Sequence, residues 1–255
     1  MTKPPGPLHE GFGGAAASHE SARLDISATT VQAAPGFISG VELVLFPLRD
    51  TTSLYKEVSI PEGQVVVRPL EEEDVVGSSV LLSRAFAGSP EALTFNDVTL
   101  YRKYYRKMLE ANDWSKGLVL VARLTPTDPS ILPKGRKVML IGTMSISFDE
   151  STRIREVYPT PPAGAAYLTN MAIDQRFRRR GVASLLLTGG LEGARASGCC
   201  NQVYLHVRDK DTPALALYQK MGFESHKKES VPGGVFGMLS GRKPQTLMRI
   251  ALEPL

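Results

Sequence analysis

The segment with the densest chemistry is RFRRRGVA, Arg176–Ala183, which places four arginines within five residues directly ahead of a glycine. It lies between a short apolar run that stops at Asp174 and a longer one that opens at Val182. Such a cluster suits either a nucleic-acid or nuclear-import patch, or a pocket for phosphates. A strand–turn–helix setting favours the pocket. The first turn of a helix carries backbone N–H groups without intrahelical partners, and its dipole end is positive. A small residue such as Gly181 lets an anion approach that backbone, and Arg178, Arg179 and Arg180 add charge-assisted contacts. No Gly-Lys-Ser/Thr follows, so the loop is not a Walker A motif, and the G-x-G-x-x-G fingerprint is absent.

The elements that must hold this turn can be read outward from it. Residues 167–173, YLTNMAI, form a nearly continuous apolar run, the pattern of a central strand covered on both faces. A helix is predicted over 181–197, then a strand over 202–207, a helix over 212–221 and a closing strand over 246–252. Upstream, QVVVRPL from Gln64 reads as a strand stopped by proline. Residues 71–86 read as a helix with acids in its first turn and apolar positions at Val76, Val80, Leu81 and Ala85. A second helix over 96–112, capped by Asn96 or Asp97, sets Tyr101, Tyr104, Tyr105 and Met108 on one face. Its interleaved Lys/Arg and Tyr could stack on RNA, but the spacing is that of a core-facing stripe with a solvated basic back. Strands over 118–124 and 138–148 complete a hairpin.

Composition sets the outer limits. With 255 residues, 42% hydrophobic and 22% charged, the chain can build one large core, or one domain and a tail. No apolar run approaches bilayer length. The net charge is +4; the first 60 residues hold four Lys/Arg against six Asp/Glu, leaving 26 against 20 beyond them. That bias suits an anionic cofactor and is too weak for duplex DNA. Cys199 and Cys200 are adjacent, which makes neither a structural disulfide nor a zinc site and indicates a reducing compartment. Residues 1–40, rich in Gly, Ala, Pro and Ser, read as a disordered arm or a transit peptide, with Glu10, Glu20 and Asp25 outnumbering Lys3 and Arg23. Residues 41–63 are expected to pack on the domain as an extension, with 41–48 either adding an edge strand or packing over the domain, and 64–255 form the domain proper.

Two motifs together carry a resemblance. RRRGVA fits R/Q-x-x-G-x-G/A, with Arg178 first, Gly181 fourth and Ala183 in the final small position. DTPALALYQKMGF fits N-x-x-A-x-x-L-Y-…-G-F, with Asp211 in place of the usual Asn, then Ala214, Leu217, Tyr218, Gly222 and Phe223. On these motifs, and on element order from Gln64 onward, the chain resembles the GNAT superfamily of acyl-CoA N-acyltransferases. The resemblance implies an α/β (α+β) fold: a mixed sheet of about seven strands, flanked by helices and splayed between residues 167–173 and 202–207. It implies acetyl-CoA as co-substrate and no metal. The pantetheine arm would pair with backbone from Leu168 through Asn170, Met171, Ala172 and Ile173, since an unpaired edge inside a sheet needs a partner. The pyrophosphate would rest on Arg178, Arg179, Arg180, Gly181, Val182 and Ala183, with Asp211, Ala214 and Tyr218 beside the cofactor. Backbone N–H groups near Met171 or Ala172 would face the thioester oxygen.

Such a reaction needs a base near the amine and an acid near sulfur. The resemblance points to Tyr218 as the acid; a Tyr that merely packs in the core is the competing reading. YLTNMAIDQRFRRRG and YLHVRDKDTPALALYQKMGF further resemble catalytic subunits of eukaryotic protein N-terminal acetyltransferases. That narrower likeness implies Tyr167 and His206 holding a water that takes the amine proton, an imidazole being able to titrate near neutrality. His206 as a structural histidine is the alternative. The whole chain also resembles plastid GNAT enzymes of plants and algae, which implies the chloroplast rather than the cytoplasm, and a protein or peptide acceptor: an N-terminal α-amine, a lysine ε-amine, or both. Neither membrane nor nucleic acid is expected as partner, and no feature of the sequence sets an oligomeric state. Loops 149–166 and 232–245 would shape the acceptor groove. A small arylalkylamine or polyamine is the runner-up acceptor, hinted at by Asp149, Glu150 and Glu156. A cofactor-binding sensor without turnover, and a nucleic-acid module using RFRRR and YRKYYRK, are the non-enzyme alternatives.

Overall fold

In a computed structural model the chain is described over residues 54–86, 96–111, 113, 115–132, 134–153, 159–228 and 244–253. The arm 1–40, the edge strand expected over 41–48, Glu156 and most of loop 232–245 lie outside the described residues. The side chains of the expected caps Asn96 and Asp97 lie outside them too.

Strands at Lys56–Ile60 (β1), Gly63–Pro69 (β2), Gly117–Pro126 (β3), Met139–Ser147 (β4) and Ala166–Ile173 (β5) run antiparallel, each to the next. Strand Gln202–Arg208 (β6) joins β5 in parallel, and Gln245–Ala251 (β8) lies between β6 and the outer strand Glu224–Lys228 (β7). The described residues thus make an eight-stranded mixed sheet where about seven strands were expected. Two of the eight carry little sequence signal. β1 starts the sheet inside the stretch read as an extension, and β7, ESHKK, is exposed at every position, so no apolar alternation marks it. Backbone pairing to β8 makes it a strand, and its charges keep the sheet edge from pairing further.

Helices Val75–Phe86 (α1) and Asn96–Ala111 (α2) cover one face, and Val182–Ser197 (α3) covers the other. β3 shows the division: Leu118, Leu120, Ala122 and Leu124 join the α3 side, while Val119 and Val121 join the α1–α2 side. Tyr101, Tyr104 and Tyr105 are buried, as the helical spacing predicts. α1 departs from its expected face. Val76 is 50% exposed, and the buried positions include Val75, Ser78, Ser79 and Leu82. The acids Glu72–Asp74 form a separate 3-10 turn, with Asp74 buried against Arg68 at 3.0 Å, which advances the helical register. Ser79 fits the core because its hydroxyl donates to the Val75 carbonyl at 2.7 Å.

The feature that makes room for a ligand lies at mid-sheet. β5 and β6 pair only at Ala166↔Val203, Tyr167↔Tyr204 and Leu168↔Leu205, although β5 runs on to Ile173 and β6 to Arg208. On the other edge of β5, the register against β4 shifts between Thr143 and Ser145, and Asn170 takes φ +54°. An extra residue of this kind bends and twists its strand. β5 therefore leaves β6 after three pairs, and both strands present unpaired backbone to the fork.

Candidate active site

A cavity of about 780 Å³ fills the fork. Its walls are β5 from Tyr167 to Ile173, β6 from Leu205 to Arg208, the turn ahead of α3, and helix Thr212–Lys220 (α4). The sequence-predicted positions converge there, with one exception.

The turn is built residue by residue. Asp174 ends β5, accepts from the Arg176 N–H at 3.0 Å and pairs with the Arg176 guanidinium at 2.8 Å. This carboxylate is held below the ordinary range, chiefly by its Arg176 hydrogen bond. Arg178 is tied back to the Ile173 carbonyl at 3.2 Å. Arg179 and Gly181 both sit at positive φ, +64° and +80°. Gly181 is the N-cap of α3 and supplies no side-chain cap, and a Cβ there would meet nothing within 4 Å. The N–H groups of the first turn of α3 thus face open space at the positive end of a 16-residue helix. Such a cradle fits an anion. Arg180 is the exception: it turns to Glu62 on the β1–β2 connection at 2.8 Å and does not line the cavity. A carboxylate within reach outside the cavity draws it away.

α4 opens at Asp211, whose carboxylate accepts from the Ala214 N–H at 3.1 Å. Asp in place of Asn therefore serves as a helix cap, which either residue can do. Two helical turns on from that cap, Tyr218 is buried, packs edge-to-face on Phe223 and donates to Met171 Sδ at 3.6 Å. Burial, and next the Asp211 charge, push its phenol well above the usual range.

Across the fork, Tyr167 Oη lies 2.9 Å from His206 Nδ1, the two rings edge-to-face. Burial lowers the imidazole to about 4, against a smaller opposing influence of the Pro159 carbonyl. The expectation of a histidine titrating near neutrality is thereby corrected: its surroundings exclude the charged form. His206 Nε2 and Asn170 Nδ2 are both buried with no hydrogen-bond partner among the described residues, and both residues line the cavity. Buried polar atoms are seldom left so unless a ligand or water completes them. Two features escaped sequence reasoning. Arg153 lies with its guanidinium 5.6 Å from the Tyr167 ring centroid, and Phe86 lines the cavity from the end of α1. Neither sits in a motif; their places depend on how distant segments pack.

Residues 97–223 match the acetyltransferase (GNAT) family. The chain belongs to the GNAT family. It is similar to GCN5-related N-acetyltransferase 5, chloroplastic, of Arabidopsis thaliana, 28% identical over 86% of this chain and 68% of the relative. It is also similar to an N-alpha-acetyltransferase of Saccharolobus solfataricus, 31% identical over 24% of this chain and 36% of that protein. Among solved structures, yncA of Salmonella typhimurium, solved with its cofactor acetyl-CoA, superposes with a TM-score of 0.51. That pair is 15% identical over 74% of this chain and 94% of the other, a likeness of fold. This GNAT protein is thus an acetyltransferase, and its sheet is splayed where the motifs imply. The tyrosine stripe of α2 faces the core rather than solvent.

Proposed function

We propose that this GNAT enzyme transfers acetyl from acetyl-CoA to the α-amine of protein N termini, by direct attack within a ternary complex, and that it does so in the plastid. The observation that carries the reading is His206, a mostly buried, neutral imidazole whose unpartnered Nε2 borders the fork. The cradle before α3, open beyond Gly181, suits the phosphates, and the unpaired edge of β5 suits an amide-bearing arm. Arg178 and Arg179 supply charge there, while Arg180 stays with Glu62. Bound in this way, acetyl-CoA supplies an electrophilic carbonyl and a sulfur leaving group.

The chain's own groups then divide the proton work. A neutral amine forms the N–C bond as the C–S bond breaks, and one amine proton passes to His206 Nε2 or a water it holds, then to solvent. Tyr167 fixes the imidazole through Nδ1. Tyr218 offers its hydroxyl to the departing sulfur, which leaves as the thiol once a solvent proton is taken up. Because His206 binds a proton so weakly, it cannot strip an ammonium; it serves amines that arrive neutral. At pH 8 about half of α-amines are neutral, against roughly one lysine in 250, a difference of about 3 kcal/mol. The α-amine is the favoured acceptor for that reason. The name of the archaeal relative, an N-alpha-acetyltransferase, agrees with it, and the chloroplastic Arabidopsis relative, with the Ala- and Ser-rich composition of residues 1–40, favours the plastid. A polyamine is less suited: Asp149 is occupied by the Ser151 N–H at 2.7 Å, and Glu150 faces Arg153 at 3.5 Å.

The test is incubation with acetyl-CoA and a peptide library offering free α-amines and lysines, followed by mass spectrometry. Acetyl groups should appear on α-amines, with kcat/KM rising with pH as the acceptor amine deprotonates. Equal transfer to lysine at pH 8, or tight acetyl-CoA binding with no transfer, would overturn the reading.

A further inference from the structure

Past the last β5–β6 pair, the fork is addressed by Tyr218 and His206, to which roles are given above, and by the side chain of Asn170. This residue is only 7% exposed, lines the cavity, and leaves its Nδ2 without a partner among the described residues. It sits two residues beyond the Leu168↔Leu205 pair, on the irregular segment of β5, with φ +54°. Glycine would occupy that backbone region with least strain; Asn is among the few other residues that tolerate it. The position therefore carries a polar side chain into the fork on backbone that favours having none. A buried amide N–H without an acceptor keeps its full desolvation cost, so the apo fold carries a penalty that a bound acceptor atom would relieve.

A carboxamide N–H is a pure donor and calls for an acceptor. Of the groups that meet in the fork, the amine keeps its lone pair for attack, and sulfur accepts weakly and faces Tyr218. The pantetheine carbonyls have the β5 backbone as their partner, and the thioester carbonyl oxygen is the strong acceptor left at the reacting end, where it gathers negative charge as the amine adds. We propose that Asn170 donates its side-chain N–H to the thioester carbonyl oxygen, making it a catalytic residue beside the backbone donors of Met171 or Ala172. This rests on the reading that acetyl-CoA occupies the fork. A fixed donor in a dry site acts on developing charge without reorganising, which is where such donors have their largest effect.

The experiment uses the full chain with [1-13C]acetyl-CoA and two variants, Asn170→Gly and Asn170→Asp. Both residues accept a positive φ; the first removes the donor and the second replaces it with an acceptor. In the wild type, the infrared carbonyl stretch of bound acetyl-CoA should lie below that of free acetyl-CoA. In both variants it should return toward the free value while calorimetric affinity for CoA stays unchanged, and kcat on the peptide library should fall on the order of 10²-fold. A lowered stretch that survives in either variant, a kcat that does not fall, or a parallel loss of CoA affinity would overturn the proposal, the last by moving the amide to the pantetheine arm. Wild-type protein that binds no acetyl-CoA at all would instead sink the underlying reading, and the proposal with it.

Discussion

At the scale of single residues, Tyr218 and His206 are set apart by the same force acting on opposite chemistry. Burial disfavours whichever form is charged, so the phenol keeps its proton and the imidazole stays without one. One is ready to donate and the other to accept before any substrate arrives. A thiolate whose thiol has a pKa of about 8.5 cannot draw a proton fully from a phenol raised above its usual range, so in the proposed mechanism Tyr218 acts by hydrogen-bonding the sulfur as charge leaves. Tyr218→Phe should therefore lower kcat on the order of 10²-fold and leave CoA affinity unchanged. Steady-state kinetics beside calorimetry would check it, and wild-type turnover would reduce Tyr218 to a packing role against Phe223.

At the scale of elements, the turn Asp174–Gly181 shapes the proposed anion site by assigning its arginines different tasks. Arg176 is held by Asp174 and Arg180 by Glu62, while Arg178, tied to the end of β5, and Arg179 line the cavity beside the backbone cradle. Gly181 is the residue on which this depends: its φ of +80° suits glycine, and the space before it is open. Gly181→Asp would combine left-handed strain with a carboxylate at the helix N-terminus, where it would occupy the anion's place. Affinity for CoA should fall by at least about 10²-fold, since like charges brought together cost several kcal/mol, and circular dichroism should show an intact fold. Undiminished affinity by calorimetry would remove the turn from the site.

At the scale of the whole molecule, the site's electrostatics are linked to stability. The folded state holds His206 at about 4, whereas an unfolded chain returns it to about 6.5. Between those values the unfolded chain binds more protons, so the folded state loses stability as pH falls from about 6.5 toward 4 and is unaffected above that window. Asp174, held low by Arg176, adds a loss in the same direction at still lower pH. Asp74, raised by its burial, acts oppositely as pH falls through its raised value toward 3.8. The urea midpoint should be lower at pH 5 than at pH 7 in the wild type, and that difference should shrink in His206→Gln. An equal difference in both proteins would show that His206 is not buried neutral in solution.

Local sequence determined much of this molecule by itself. The apolar run of β5, the glycine and arginines ahead of α3, and the tyrosine stripe of α2 each act through neighbours one turn or one strand position away, so spacing alone revealed them. The positions nominated through the family resemblance, on β5, the turn, β6 and α4, line the cavity with the exception of Arg180. Only the tertiary structure decided the rest. It sent Arg180 to Glu62, 118 positions distant in the chain, set Val76 outward and Ser79 inward, and made a strand of ESHKK by pairing it with β8. It also left His206 Nε2 and Asn170 Nδ2 buried without partners in a fork that opens after three residue pairs. Desolvation and long-range pairing depend on what surrounds a group in space, and that is written across the whole chain rather than beside the residue.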